Sequence, residues 1–297
     1  MLCSTRRRAD GGVEHFHAFL GATIVAPCHH QVLPLAPEFI APQDGAEKQD
    51  CERNAAKRWL ARHGCSVAHL RPIFLGDDLF ACQPIATAIQ QAGGNLGPRR
   101  GPSLTCKPSS HQTITEYLTG VEPEERRHTV RKGHQHTTTI YRWLRGVPLR
   151  ATADAVPVNW FSIEIRNAAG KRTYYNSFVT DLAVNADNVV ELAACGRARW
   201  KIENEIFNVL KTNGYHLEHN FGHGKQTLAS VFLTFNLLAF TFHTAARLAV
   251  LTWRAAVAAC GATYRFFENL RTITAYIVFQ DWPHLLQSIA VADLRPP

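Results

Sequence analysis

A run of twenty residues without a formal charge, TLASVFLTFNLLAFTFHTAA at positions 227–246, constrains this chain more than any other feature. As a helix it would reach about 30 Å, so it either crosses a membrane or is shielded by a substantial protein core. Asn236, His243 and four threonines interrupt it. Facing lipid, those groups would meet hydrocarbon without partners, whereas a buried helix of a large α/β protein pairs them locally. The run is therefore expected to be a core helix, with no membrane involved. A chain of 297 residues that is 46% hydrophobic has enough apolar material for one sizeable core.

The segments on either side alternate in type. HFHAFLGATIVAP and HHQVLPLAPEFIAP read as neighbouring strands of a hairpin. EKQDCERNAAKRWLARH, residues 47–63, has helical spacing, with Gly64 as its stop. VAHLRPIFLGDDLFACQPIATAIQQAGG reads as strand, acidic turn and helix. GGNLGPRRGPSLTCKP is rich in Gly, Pro and Arg and reads as a loop interrupting the next buried strand. Residues 126–182 alternate in the strand period, with Ala-Ala-Gly as a hairpin turn, and helical periodicity dominates from Ala186 onward. This order predicts an α/β core interrupted by a β-rich insertion, with a helical C-terminal part.

Charge and thiols narrow the partners. With 32 Lys and Arg against 24 Asp and Glu the net charge is +8 and the pI near 9.2, which favours polyanions such as nucleic acid. Eight cysteines without a CxxC pair point to reduced thiols inside a cell. Arg126, Arg127, Arg131, Lys132, His134 and His136, with Tyr141 and Trp143 nearby, form a basic segment that either tracks a DNA backbone or is a solvated loop face. His216, His219 and His223 have metal-like spacing, but no cysteine or second cluster completes a zinc set. Contact of His219 and Lys225 with DNA phosphates, or capping between helices, fits them better.

Two acidic sites carry the chemistry. Asp77 and Asp78 follow an apolar strand, where a hard cation finds carboxylate oxygens and where a turn or helix cap also uses Asp. Arg199, Glu203, Phe207 and Lys211 are four residues apart and would share one slowly drifting helix face. Spacing alone fits an ordinary amphipathic helix with an Arg199–Glu203 pair.

The longer segment GRARWKIENEIFNVLKTNGYHLEHNFGHGKQ, residues 196–226, resembles the glutamate helix of DDE-type insertion-sequence transposases. Their signature of Arg, Trp, an Ile-Glu pair and an apolar Leu-Lys end falls on Arg199, Trp200, Ile202, Glu203, Leu210 and Lys211. Two departures stand out: Gly196 or a neighbour occupies the place of the usual tyrosine, and the spacing from Glu203 to Lys211 is one residue longer than the common pattern. Glu205 thereby competes with Glu203, which keeps the Arg, Trp and Ile frame. Asp77, with Phe80 as the aromatic of an Asp-x-x-aromatic pattern, resembles the second aspartate of the family. The family's first aspartate would fall before Met1. Asp10 lies in a Gly-flanked turn, and Asp181 belongs by order to the strand after the insertion; both are expected to be structural.

The resemblance implies an RNase H-like catalytic core, with residues 1–120 as its first part, 121–182 as the β-rich insertion and final strand, and 183–297 as the glutamate helix and C-terminal helices. It further implies metal-dependent DNA strand cleavage and transfer at transposon ends. Two Mg²⁺ ions, or Mn²⁺, about 3.5–4 Å apart would be held by Asp77, Asp78 and Glu203. Arg199, Lys211, Trp200, His219 and Lys225 would contact DNA. Transposon-end and target DNA, a homodimer and a bacterial cytoplasmic, nucleoid-associated location follow from the same resemblance. The competing expectation is a truncated, catalytically inactive remnant that at most binds DNA.

Overall fold

The computed structural model describes residues 4–41, 50–93, 101–132, 135–219, 222 and 224–292. Twelve strands and nine α-helices follow in chain order among these residues. They are β1 (Ser4–Arg7), β2 (Val13–Phe16), β3 (Ala18–Leu20), β4 (Thr23–Ile24), β5 (Leu33–Pro34), β6 (Glu38–Ile40), α1 (Glu52–Val67), β7 (Ile73–Gly76), α2 (Gln83–Gly93), β8 (Gly101–Thr105) and α3 (Gln112–Thr119). Next come β9 (Glu124–Lys132), β10 (Gln135–Pro148), β11 (Pro157–Arg166), β12 (Arg172–Thr180), α4 (Val189–Arg197), a π-helical turn (Ile202–Phe207) and α5 (Asn208–Thr212). The chain ends in α6 (Leu228–Ala249), α7 (Leu251–Ala259), α8 (Thr263–Tyr276) and α9 (Trp282–Val291). They form two compact units, one of Glu38–Arg199 with the strands up to Leu20, the other of Gly21–Pro37 with the chain from Trp200 onward.

The first unit is a mixed α/β layer structure built on a six-stranded sheet of order β7-β8-β12-β11-β10-β9. β7 and β8 are parallel; every other neighbouring pair is antiparallel. Alternation along the central strands sends apolar side chains to both faces. Leu104, Val158, Trp160 and Val179 pack with Ile114 of α3 on one face. Phe161, Ile163 and Phe178 pack with Val189, Leu192 and Ala193 of α4 on the other. Phe161 and Phe178 are fully buried with centroids 5.1 Å apart, each contributing about 2–3 kcal/mol through burial.

Several expectations change here. The β-rich block, β9 to β12, is continuous with β7 and β8 in one sheet. The Gly, Pro and Arg-rich stretch was expected to be a loop, yet Gly101–Thr105 within it forms β8, buried along its whole length between β7 and β12. Pro102 lacks an N–H for the ladder, but the apolar surroundings of both sheet faces outweigh its local preference; residues 94–100 lie outside the described residues. Gly64 does not stop α1 but sits within it, where a Cβ would come 2.7 Å from Ala92 Cβ of α2. The two N-terminal segments pair as expected, through the short ladders β3–β6 and β4–β5, while β2 pairs with β1 instead.

The second unit is helical. Val32, Ile206, Leu210, Leu237 and Phe240 form one apolar cluster, and Trp253, Phe266, Leu285, Leu286 and Ile289 another. α6 is the one helix among the described residues long and apolar enough to cross a membrane. It was expected to be a core helix, but only 11% of its most apolar stretch is buried. Asn236 Nδ2 donates to the Tyr215 carbonyl at 2.7 Å and Tyr215 Oη lies 2.7 Å from His243 Nδ1, while Asn236 Oδ1 is buried without a partner among the described residues.

Candidate functional site

The acidic turn ends β7. Asp77 caps a 3₁₀ turn, its Oδ1 accepting from the Leu79 N–H at 2.9 Å, while Oδ2 has no partner among the described residues. Asp78 points into the fold: Oδ1 accepts from the Lys107 N–H at 2.6 Å and lies 3.1 Å from His111 Nε2. Burial pushes the Asp78 carboxyl up, but bonds from the Ser110 side chain and the Lys107 N–H, with the nearby charges of His111 and Lys107, hold it below its ordinary value. Asp78 is thus committed to joining β7 to the loop after β8. Asp77 keeps an oxygen for a ligand.

Asp181 stands at the other end of the sheet, because β12 runs antiparallel to β8. Its Oδ2 accepts from Gln90 Nε2 at 3.2 Å, and burial raises its pKa. It lies so close to Gly101 that any side chain there would collide with it. Asp10 occupies the β1–β2 turn, accepting from the Gly12 N–H at 2.9 Å.

The glutamate segment differs from a plain α-helix. α4 ends at Arg197, and the chain passes from the sheet unit to the helical unit between Arg199 and Trp200. The hydrogen-bonding pattern then widens: the Asn208 N–H donates to the Glu203 carbonyl, an i to i−5 bond, across the π-helical turn Ile202–Phe207. Four-residue spacing consequently fails to keep Arg199, Glu203, Phe207 and Lys211 on one continuous α-helical face, and Arg199 belongs to a different unit from the others. Glu203 is exposed, and Trp200 is 44% exposed rather than packed in a core. Lys211 Nζ lies 2.7 Å from Glu218 Oε1.

Lys201 escaped the sequence reading. Only 4% exposed, its ammonium donates to the carbonyls of Ala26, Pro27 at 2.9 Å and His29 at 2.5 Å. This fixes the start of the glutamate segment to the 26–29 loop. Lys residues on helices are ordinarily solvated, so nothing in the local pattern distinguished this one.

Glu205 and Glu203 part company. Glu205 lines a cavity of about 230 Å³ with Tyr215, His243, Arg247 and Trp253. Burial lowers the His243 pKa, assisted by the Arg247 charge, and its Nδ1 lies 2.7 Å from the Tyr215 hydroxyl. Glu203 does not line this cavity.

The basic segment lies mostly on β9 and the start of β10, where Arg126, Arg127, Arg131 and His136 are exposed. Arg126 donates to the Ala186 carbonyl and Arg127 pairs with Glu125. Tyr141 and Trp143, read as neighbours of this basic segment, are buried at 8% and 2% against α4, since alternate residues of β10 face the core. His134 lies outside the described residues, as does His223; among the described residues no group of three or more His, Cys, Asp or Glu side chains gathers as a metal centre. No protein-family model and no curated protein matches this chain.

Proposed function

We propose that this protein acts on DNA as a DDE-type transposase with an RNase H-like core, in which Asp77 and Glu203 each serve as a metal-ligating carboxylate. The π-helical turn carries the reading. Eight α-helical residues from Glu203 to Lys211 would rotate Lys211 about 80° away from Glu203, whereas seven would leave about 20°. A turn closed by an i to i−5 bond takes up one additional residue, so the surplus residue noted in the signature leaves Glu203 and Lys211 nearly in line. Such turns recur at functional sites.

The carboxylates of Asp77 and Glu203 are hard oxygen donors of the kind Mg²⁺ takes, while Asp78 is already engaged by the Lys107 N–H. When bound, the metal would activate a hydroxyl or water for attack on a phosphodiester. Lys201 positions the glutamate segment through its three carbonyl bonds. Lys211, exchanging Glu218 for a phosphate, together with Arg199, Trp200, His219, Lys225 and the exposed arginines of β9, would hold the DNA. The cytoplasmic, nucleoid-associated location belongs to the same reading.

The test is strand cleavage of DNA bearing the ends of the encoding element, in Mg²⁺, by the chain with and without the in-frame codons preceding Met1. Cleavage by either form that disappears in Glu203→Gln and in Asp77→Asn supports the proposal. Cleavage unchanged in Glu203→Gln, or absence of cleavage by both forms, overturns it.

A further inference from the structure

Inside the helical unit, the cavity of about 230 Å³ takes no part in the carboxylate reading, since Glu203 is absent from its walls. A cavity of roughly 150 Å³ admits a benzene ring, so this one has room for a single ring with a short head group. The walls suit a ring, because Tyr215, Phe240, His243, Trp253 and Phe267 all line the space. These side chains hold one another: Tyr215 meets Phe267 edge-on at 5.4 Å, and His243 stacks on Trp253 at 5.2 Å. Phe240 and Trp253 are 7% and 3% exposed. The frame is therefore packed before any ligand arrives, as binding cavities usually are.

Two opposite charges share these walls without meeting. Glu205 is the one carboxylate, and Arg247 the one permanent cation, among the described lining residues. Glu205 is partly buried and has no hydrogen bond or ion pair among the described residues. Arg247 commits Nη2 to Thr263 Oγ1 at 2.9 Å and forms no ion pair among them, which leaves its other N–H groups for a ligand. A hydrocarbon ligand would leave both charges unpaired beside apolar walls. A simple anion, a phosphodiester included, would answer Arg247 and be repelled by Glu205; a simple cation would do the reverse. A molecule with an ammonium, a carboxylate and one aromatic ring answers every feature. Its ammonium donates to Glu205, its carboxylate accepts charge-assisted hydrogen bonds from Arg247, and its ring packs in the aromatic frame.

We propose that this cavity is a binding site for a small aromatic zwitterion, of the class of the aromatic α-amino acids, with Glu205 and Arg247 as its charged contacts. The inference stands independently of the carboxylate reading, and the cleavage assay bears on that reading alone. Isothermal titration calorimetry of the full chain with L-phenylalanine and L-tyrosine, up to about 5 mM, tests it. The expected result is one saturable site per chain with a Kd on the order of 100 µM, in keeping with a ligand of about a dozen non-hydrogen atoms. 3-Phenylpropanoate, which lacks the ammonium, and 2-phenylethylamine, which lacks the carboxylate, should each bind at least about 10-fold more weakly. Glu205→Gln and Arg247→Met should each weaken L-phenylalanine by about 10-fold or more. Glu268→Gln, an exposed carboxylate of the same unit outside the walls, should bind as the wild type does. Where a variant misfolds, the two single-charge analogues put the same question to the wild type. No saturable binding of either amino acid at about 5 mM, analogues as tight as the amino acids, or binding indifferent to both wall substitutions overturns the proposal. Loss of binding in a folded Glu268→Gln variant overturns it as well.

Discussion

Replacing Arg58 by Met should remove a substantial part of the first unit's stability, because this guanidinium neutralises a buried acidic pair. Its Nη1 and Nη2 donate to Asp50 Oδ1 and Oδ2 at 2.9 and 2.7 Å, and its Nε donates to Glu38 Oε1 at 2.8 Å. The Asp50 side chain is fully buried and that of Glu38 is 6% exposed. Arg62 still reaches Glu38 Oε2 at 2.9 Å in the variant, and the Ala41 and Cys51 N–H groups still serve Asp50. Breaking a buried pair costs about 3–5 kcal/mol, and partial access of water to Arg58 places this case at about 2–4 kcal/mol. Methionine keeps most of the apolar stem, so the loss reports charge rather than packing. For a protein of this size the thermal midpoint should fall on the order of 5–12 °C.

The pH dependence gives the sharper check. The hydrogen bond from Arg58 is the main reason the Asp50 pKa lies below its ordinary value, against an opposing effect of burial. A carboxylate depressed in the folded state stabilises above its unfolded pKa, and that contribution disappears as pH falls through the folded one. The gap between wild type and Arg58→Met in urea unfolding should therefore be full at pH 7 and shrink below about pH 4. A gap that stays constant from pH 7 to about pH 3 would refute the assignment, and so would a loss under about 0.5 kcal/mol.

Three further outcomes follow from the packing. Gly196→Ala should destabilise by about 1–3 kcal/mol in chemical denaturation, since the new Cβ would lie 2.7 Å from Phe178 Cε1 inside the sheet–helix core; the same crowding excludes the signature's tyrosine from position 196. Deleting Asn204 should convert the π-helical turn to α-helix while keeping Glu203 and Lys211 in line, leaving the thermal midpoint within a few degrees; a drop above about 3 kcal/mol would mean that tertiary packing, not residue surplus, holds the wide turn. Thiol titration at pH 8 should label the exposed Cys28, Cys51 and Cys65 rapidly, and Cys106 only after unfolding, because burial with the nearby Asp78 charge pushes its thiol up to about 12.

The sequence by itself determined the acidic turn after an apolar strand, the basic balance, the antiparallel block from β9 to β12 and the helical C-terminal part. These signals are local: period-two alternation, helical spacing and charge are written residue by residue. Only the tertiary structure decided that Gly101–Thr105 is a central strand, because burial between two neighbours outweighed the preferences of Gly and Pro. It also separated Asp77 from Asp78, since the Lys107 N–H and His111 that engage Asp78 come from about 30 residues downstream. The apolar run at 227–246 was legible as a helix, but the assignment of its faces was not. One side is buried against residues distant in the chain and the other is left exposed, a division made by packing and invisible to hydrophobicity alone.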